Sequence, residues 1–149
     1  MPLKFKKTLI SKETYETAAA FDVDGDGIPD IVSGGWWYKG PDFEERHKVC
    51  EVRSEGEYYD DFSTIPMDIN GNGRMDFVTG GWFGCNLRWH ENPGNLNREW
   101  SGHIIAECGN VETTRAWDVD GDGQLEIVPN TPPTPLVVYK LIQDENGKG

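Results

Sequence analysis

Three short loops carry oxygen donors at alternate positions. The first, DVDGDGIPD, offers Asp22, Asp24, Asp26 and Asp30 at its first, third, fifth and ninth places, and Ile28 at the seventh can add a main-chain carbonyl. The second offers Asp68, Asn70, Asn72, the Arg74 carbonyl and Asp76, and the third Asp118, Asp120, Asp122, the Gln124 carbonyl and Glu126. Several oxygens converging on one centre, without sulfur or imidazole, is a ligand set for a hard cation. Left uncompensated, two carboxylates about 4 Å apart repel by roughly 4 kcal/mol at an effective dielectric near 20. Ca²⁺ suits such loops because it tolerates many irregular ligands, whereas Mg²⁺ demands a stricter octahedron. The second loop has two carboxylates where the first has four, so weaker binding is expected there. An EF-hand is excluded, since that loop needs a bidentate Glu at place twelve and flanking helices. Place twelve here holds Ser33, Thr79 or Pro129.

The loops recur in phase, at Asp22, Asp68 and Asp118, and their flanks recur with them. WYKGPD (Trp37 to Asp42) matches WHENPG (Trp89 to Gly94), with VYK (Val138 to Lys140) as a third copy. FEERHKV (Phe43 to Val49) matches WSGHII (Trp100 to Ile105), with FKKTLI (Phe5 to Ile10) as a weaker first copy. Each loop lies between short β-branched runs bounded by turn residues, the pattern of strands and not of helices. One unit therefore reads strand, acidic loop, strand, connection, strand, Pro-Gly turn, strand. A four-stranded antiparallel unit repeated about every fifty residues is a β-propeller blade. The expectation is an all-β fold: one partial propeller over residues 1–149, with repeats at about 1–42, 43–99 and 100–149. Propellers close with about four to eight blades. Three repeats, the last ending where a fourth strand is due, point to a segment of a larger ring, with association of two copies as the alternative.

The chain of 149 residues carries a formal charge of −12, which repels phosphate backbones and excludes nucleic acid as a natural partner. Ten of its 26 acidic residues sit in the three loops, so three bound Ca²⁺ would halve that charge. Cys50, Cys85 and Cys108 form no paired framework. No stretch has transmembrane length, and MPLKFKKTLI lacks the apolar core of a signal peptide. Weak calcium sites nonetheless suit the millimolar Ca²⁺ of an extracellular or periplasmic setting.

In an antiparallel blade, the acidic loops share one face with the Pro-Gly turns, and the remaining connections gather on the other. Those remaining connections vary in length: one residue separates Gly35 from Trp37, but seven separate Gly81 from Trp89. The long connection after His47 holds RSEGEYYDD. That face is expected to gather Trp36, Trp82, Phe83, Arg88, Tyr58, Asp60 and Asp61, whose rings and polar groups suit the apolar faces and hydroxyls of sugars. Trp37 and Trp89, which recur in phase, are expected to pack between blades. His90, Tyr59 and Arg115 are the candidates for acid–base and oxyanion roles.

DVDGDGIPDIV, DINGNGRMDFV and DVDGDGQLEIV resemble the FG-GAP or VCBS-type repeats of β-propellers. That resemblance implies Ca²⁺ in the loop between a blade's first two strands, and a range of functions from adhesion to lectins and polysaccharide lyases. VETTRAWDVDGDGQLEIVPNTPPTPLVVYKL and FVTGGWFGCNLRWHENPG are also similar to the propeller part of aldos-2-ulose dehydratase-like proteins. This second resemblance implies elimination of water from a keto-sugar, without assigning its catalytic residues here. The leading expectation is a calcium-stabilised module for carbohydrate recognition within a larger sugar-active protein. A sugar dehydratase or lyase, or a protein–protein adhesion module, are the alternatives.

Overall fold

The computed structural model describes residues 2–95 and 97–145. Residue 1 and residues 146–149, the outer ends of the expected propeller span, lie outside the described residues. Twelve strands form four antiparallel sheets, and no helix occurs among the described residues. Among the described residues no helix is therefore long and apolar enough to cross a membrane.

The first sheet runs β1 (Ala19–Phe21), β2 (Asp30–Ser33), β3 (Trp36–Tyr38), β4 (Arg46–Lys48), in that spatial order. A small hairpin follows, β5 (Ser54–Glu55) and β6 (Tyr58–Tyr59). The second full sheet contains β7 (Ile65–Met67), β8 (Asp76–Gly81), β9 (Asn86–Glu91) and β10 (Ser101–Ala106), again in chain order. The third pairs β11 (Thr113–Trp117) with β12 (Glu126–Asn130), and Tyr139 adds a bridge to Ile127. This is a β-propeller segment: each sheet meanders outward from its first strand, and β7 touches both β1 and β11.

Register repeats from sheet to sheet. Val32 lies opposite Trp37 as Val78 lies opposite Trp89. One place along, the pairs are Ile31 with Tyr38, Phe77 with His90 and Ile127 with Tyr139. Because side chains alternate across a strand, these two rows face opposite sides of each sheet. The Val–Trp row faces the sheet that follows in the chain, and the other row faces the one before.

Two seams make the core. Between the first and second sheets pack Phe21, Val23, Val32, Trp37, Phe77 and Trp100. Between the second and third pack Ile69, Val78, Leu87 and Ile127, with Met67 and Trp89 beside them. Val32, Val78 and Leu87 are fully enclosed, and each such side chain contributes about 1.5–3 kcal/mol by leaving water. Trp37 and Trp89 lie in these seams as expected, and the outer-strand histidines stack on them, His47 on Trp37 at 4.5 Å and His103 on Trp89 at 4.7 Å.

The sheets are out of phase with the sequence repeats. Strands β4 and β10 lie just past the repeat limits at 42/43 and 99/100, yet pair back onto β3 and β9. Phe5–Ile10, the weak copy of that outer strand, forms no strand. The RSEGEYYDD insertion forms the β5–β6 hairpin, turning at Gly56 with φ of 65°, a conformation that glycine adopts at little cost.

Candidate metal loops and an inter-sheet cavity

Each acidic loop follows the first strand of its sheet and holds itself by side-chain to main-chain bonds. In the first, the Asp22 carboxylate accepts from Gly25 N (2.8 Å) and Gly27 N (2.9 Å), Asp24 Oδ1 from Asp26 N (3.2 Å) and Asp26 Oδ1 from Ile28 N (2.9 Å). The third repeats this bond for bond with Asp118, Asp120 and Asp122. The second keeps three of these bonds with Asp68, Asn70 and Asn72, but Asp68 Oδ1 accepts from Asn72 N (3.1 Å) and not from Gly71 N. Gly25 and Gly27 have φ near 80–85°, the left-handed region in which the chain can turn its carboxylates inward. Ile28, Arg74 and Gln124, whose carbonyls are the seventh-place donors, lie on the exposed rims.

In the first and third loops the third- and fifth-place acids each keep one free oxygen, and a lysine reaches them from the other side of the hairpin. Lys39 Nζ bridges Asp24 and Asp26, the latter at 2.6 Å. Lys140 Nζ bridges Asp120 at 2.5 Å and Asp122 at 2.6 Å, with Glu126 Oε1 at 3.4 Å. These hydrogen bonds hold Asp26 and Asp122 below the usual carboxylate range and raise both lysines. In the second unit the same place is Glu91, which accepts from Asn70 Nδ2 at 3.0 Å. Loops with four acids are thus matched to a lysine, and the loop with two is matched to a further acid. Sequence reasoning passed over these three residues, although WYK, WHE and VYK show them in phase.

The ninth-place acids have a second task. Asp30 Oδ2 accepts from Val23 N (2.9 Å) and Oδ1 from Gly40 N (2.8 Å). Asp76 makes the equivalent bonds with Ile69 N and Asn92 N. These buried carboxylates latch the loop to the turn after the third strand, and burial raises both above the ordinary range. Glu126 Oε2 accepts from Val119 N at 2.7 Å, while its buried Oε1 meets Lys140 Nζ at 3.4 Å. Ligand atoms of Asp22, Asp24 and Asp30 lie within 4.8 Å of one another, as do those of Asp118, Asp120 and Asp122. An all-oxygen set already drawn around an ammonium fits a hard divalent cation.

On this same face, a cavity of about 390 Å³ opens between the first two sheets. Asp24, Arg74, Asn92 and Asn95 line it, over Trp37 and Trp100. Asn92 is fixed by donating to Val23 O at 2.8 Å and accepting from Gly94 N at 2.9 Å. Arg74 Nε donates to Asn92 O at 3.1 Å, which leaves the two terminal nitrogens of its guanidinium without a protein partner among the described residues.

The geometry agrees with what the chain resembles. Residues 68–128 match the FG-GAP-like repeat family. The match starts at the first donor of the second loop and ends within β12, so it covers the second and third acidic loops. No curated protein and no solved structure matches the chain.

The face opposite the acidic loops is organised differently from the expectation. Asp60 and Asp61 are buried, not presented to solvent. Asp60 accepts from Phe83 N (2.8 Å) and Gly84 N (3.0 Å), and its carbonyl accepts from Arg88 Nη2. These bonds fold the Trp82–Cys85 connection over the hairpin, so Arg88 serves the scaffold. Asp61 Oδ1 accepts from Glu16 N at 3.3 Å, Oδ2 has no partner, and burial pushes the carboxyl up to about 7. Trp36 lies under Arg46, at 4.3 Å. Phe83 packs on Phe62, Trp82 is half-buried and Tyr58 is exposed.

His90, Tyr59 and Arg115 sit on three different elements. His90 is buried in the first seam, stacked on Phe77 at 5.0 Å, and burial lowers it to about 4. Tyr59 packs on Tyr15 at 4.5 Å beside the hairpin. Arg115 projects from β11 into a groove with Thr17, Ser63 and Thr64, where the first strands of the sheets meet.

Proposed function

We propose that this chain is a calcium-stabilised propeller module that recognises carbohydrate, and that the cavity between the first two sheets receives the sugar. The observation that supports this reading is the cavity's composition: a fixed amide, a carboxylate and an open guanidinium above two indoles, in a space of about 390 Å³. That volume suits a small ligand. The guanidinium fork favours a sugar bearing a carboxylate, which it can hold through two parallel hydrogen bonds. Ca²⁺ would be held by Asp22, Asp24 and Asp30, by Asp118, Asp120 and Asp122 with Glu126, and by Asp68, Asn70 and Asn72 with Glu91. It supplies fixed positive charge that tightens each hairpin, and beside Asp24 it also frames the cavity. The elimination chemistry implied by the second resemblance needs a base beside an oxyanion site. His90 and Arg115, in a core seam and an inner groove, do not supply that pair.

A glycan array probed with the intact chain in calcium tests the proposal. Uronic-acid glycans should bind, and Arg74→Ala should weaken them by about tenfold or more with an unchanged melting temperature. Absence of glycan binding, or binding indifferent to Arg74→Ala, overturns it.

A further inference from the structure

The two outer faces of the three-sheet segment are unfinished in complementary ways. In the first sheet, the row facing the next sheet is sealed: Phe21 is 9 % exposed, Val23 5 % and Trp37 1 %, and in the second sheet Ile69 is buried while Met67 and Trp89 are half-buried. By repeat and register, the same places in the third sheet are Trp117, Val119 and Val138, which are 55 %, 55 % and 48 % exposed. At the other end, the row facing the preceding sheet is buried at Phe77 and Ile127, but in the first sheet its member Ile31 lines a mainly apolar groove with Leu9, Ile10, Ala18 and Tyr38. The established seams therefore continue outward on both sides, one side offering projecting apolar groups and the other a groove.

An outer strand is also missing at one end and spare at the other. The third sheet has β11, β12 and the Tyr139 bridge, and no fourth strand among the described residues. Phe5–Ile10 carries the outer-strand pattern but pairs with nothing, and Phe5 and Leu9 are 92 % and 70 % exposed. Its place in the chain is that of an outer strand. Thr8 precedes its acidic loop by fourteen positions, and His103 precedes its own by fifteen. In both complete seams the outer strand precedes the next full sheet in the chain, as β4 precedes β7 with the β5–β6 hairpin between them and β10 precedes β11.

We propose that the occupant of both faces is a second copy of this chain, and that two copies close one six-bladed ring. The third sheet of each copy packs on the first sheet of the other, and residues 5–10 of each complete the third sheet of the other. The contact is head-to-tail, and such contacts form a ring only if the rotation closes. Two copies bring six of the described propeller sheets together, a number within the usual range of about four to eight blades. Charge favours the strand exchange: Lys4, Lys6, Lys7 and Lys12 gather in a segment without an acid, on a chain of net charge −12. This inference stands apart from the sugar cavity, which lies within one copy.

Register makes the test specific. His103 lies opposite Trp89, so Thr8 of one copy falls opposite Val138 of the other. Light scattering on the intact chain should give twice 16.8 kDa, and Trp117→Lys with Val138→Lys should halve that mass with the strand signal in circular dichroism retained. Thr8→Cys with Val138→Cys should form a covalent dimer under mild oxidation, which neither single substitution forms. A monomer with native circular dichroism, an intramolecular crosslink, or an assembly of any other size overturns the proposal. If the double-lysine variant fails to fold, the crosslink decides alone. Glycan binding by a monomer would leave the cavity reading intact while ending this one.

Discussion

Asp61 shows at the scale of one residue how burial converts a surface-type side chain into a pH sensor of stability. Its folded carboxyl titrates at about 7, far above an ordinary aspartate near 3.9. The folded state therefore keeps a proton that the unfolded chain releases, and stability declines as pH rises from about 4 towards about 7. Asp61→Asn removes that decline. In urea titrations at pH 5 and pH 8, the variant should gain on the parent by about 1–3 kcal/mol across the interval, and parallel profiles would refute the assignment. Sequence placed Asp61 near Tyr58 and Asp60 correctly as neighbours in the chain, but not its burial. Nothing in RSEGEYYDD announces that Glu16 N will meet its carboxylate from 45 positions away. His90 was opaque for the opposite reason, since an imidazole stacked on Phe77 reads in sequence like one that is free to react.

At the scale of one strand pair and its loop, the acidic residues are organised before any metal arrives. Their donor spacing was legible because side chain to main chain bonds two to five residues apart are local. The partner cations were not, because Lys39 reaches Asp24 only once the third strand has folded back beside the second. Lys39 and Lys140 compete with a divalent ion for the same oxygens, whereas Glu91 adds an oxygen. Loop charge alone ranked the second loop weakest, and Glu91 narrows that difference. Lys39→Met with Lys140→Met should lower the melting temperature in chelator and tighten Ca²⁺ binding at the first and third loops by about tenfold, as read by titration calorimetry. Glu91→Gln should weaken the second loop alone. Calcium affinity unmoved by the lysine pair would show that the ion does not enter those carboxylate clusters.

At the scale of the whole molecule, the strand order and the seams follow from a repeated register, so the propeller architecture was readable from three in-phase motifs. The extent of each sheet was not, since β4 and β10 belong by pairing to the sheet before them. Val32, Val78 and Val128 occupy one repeated place, and only Val128 is incompletely covered. Val78→Ala should cost roughly 1–3 kcal/mol at any protein concentration. Val128→Ala should approach that cost only where copies associate, and denaturation curves at micromolar and nanomolar concentration separate the two cases. The lysines reaching into the first and third acidic turns have a consequence of timing. Because each of those turns closes on a lysine from its own repeat, the chain can complete them as it folds with a counter-charge that it carries itself.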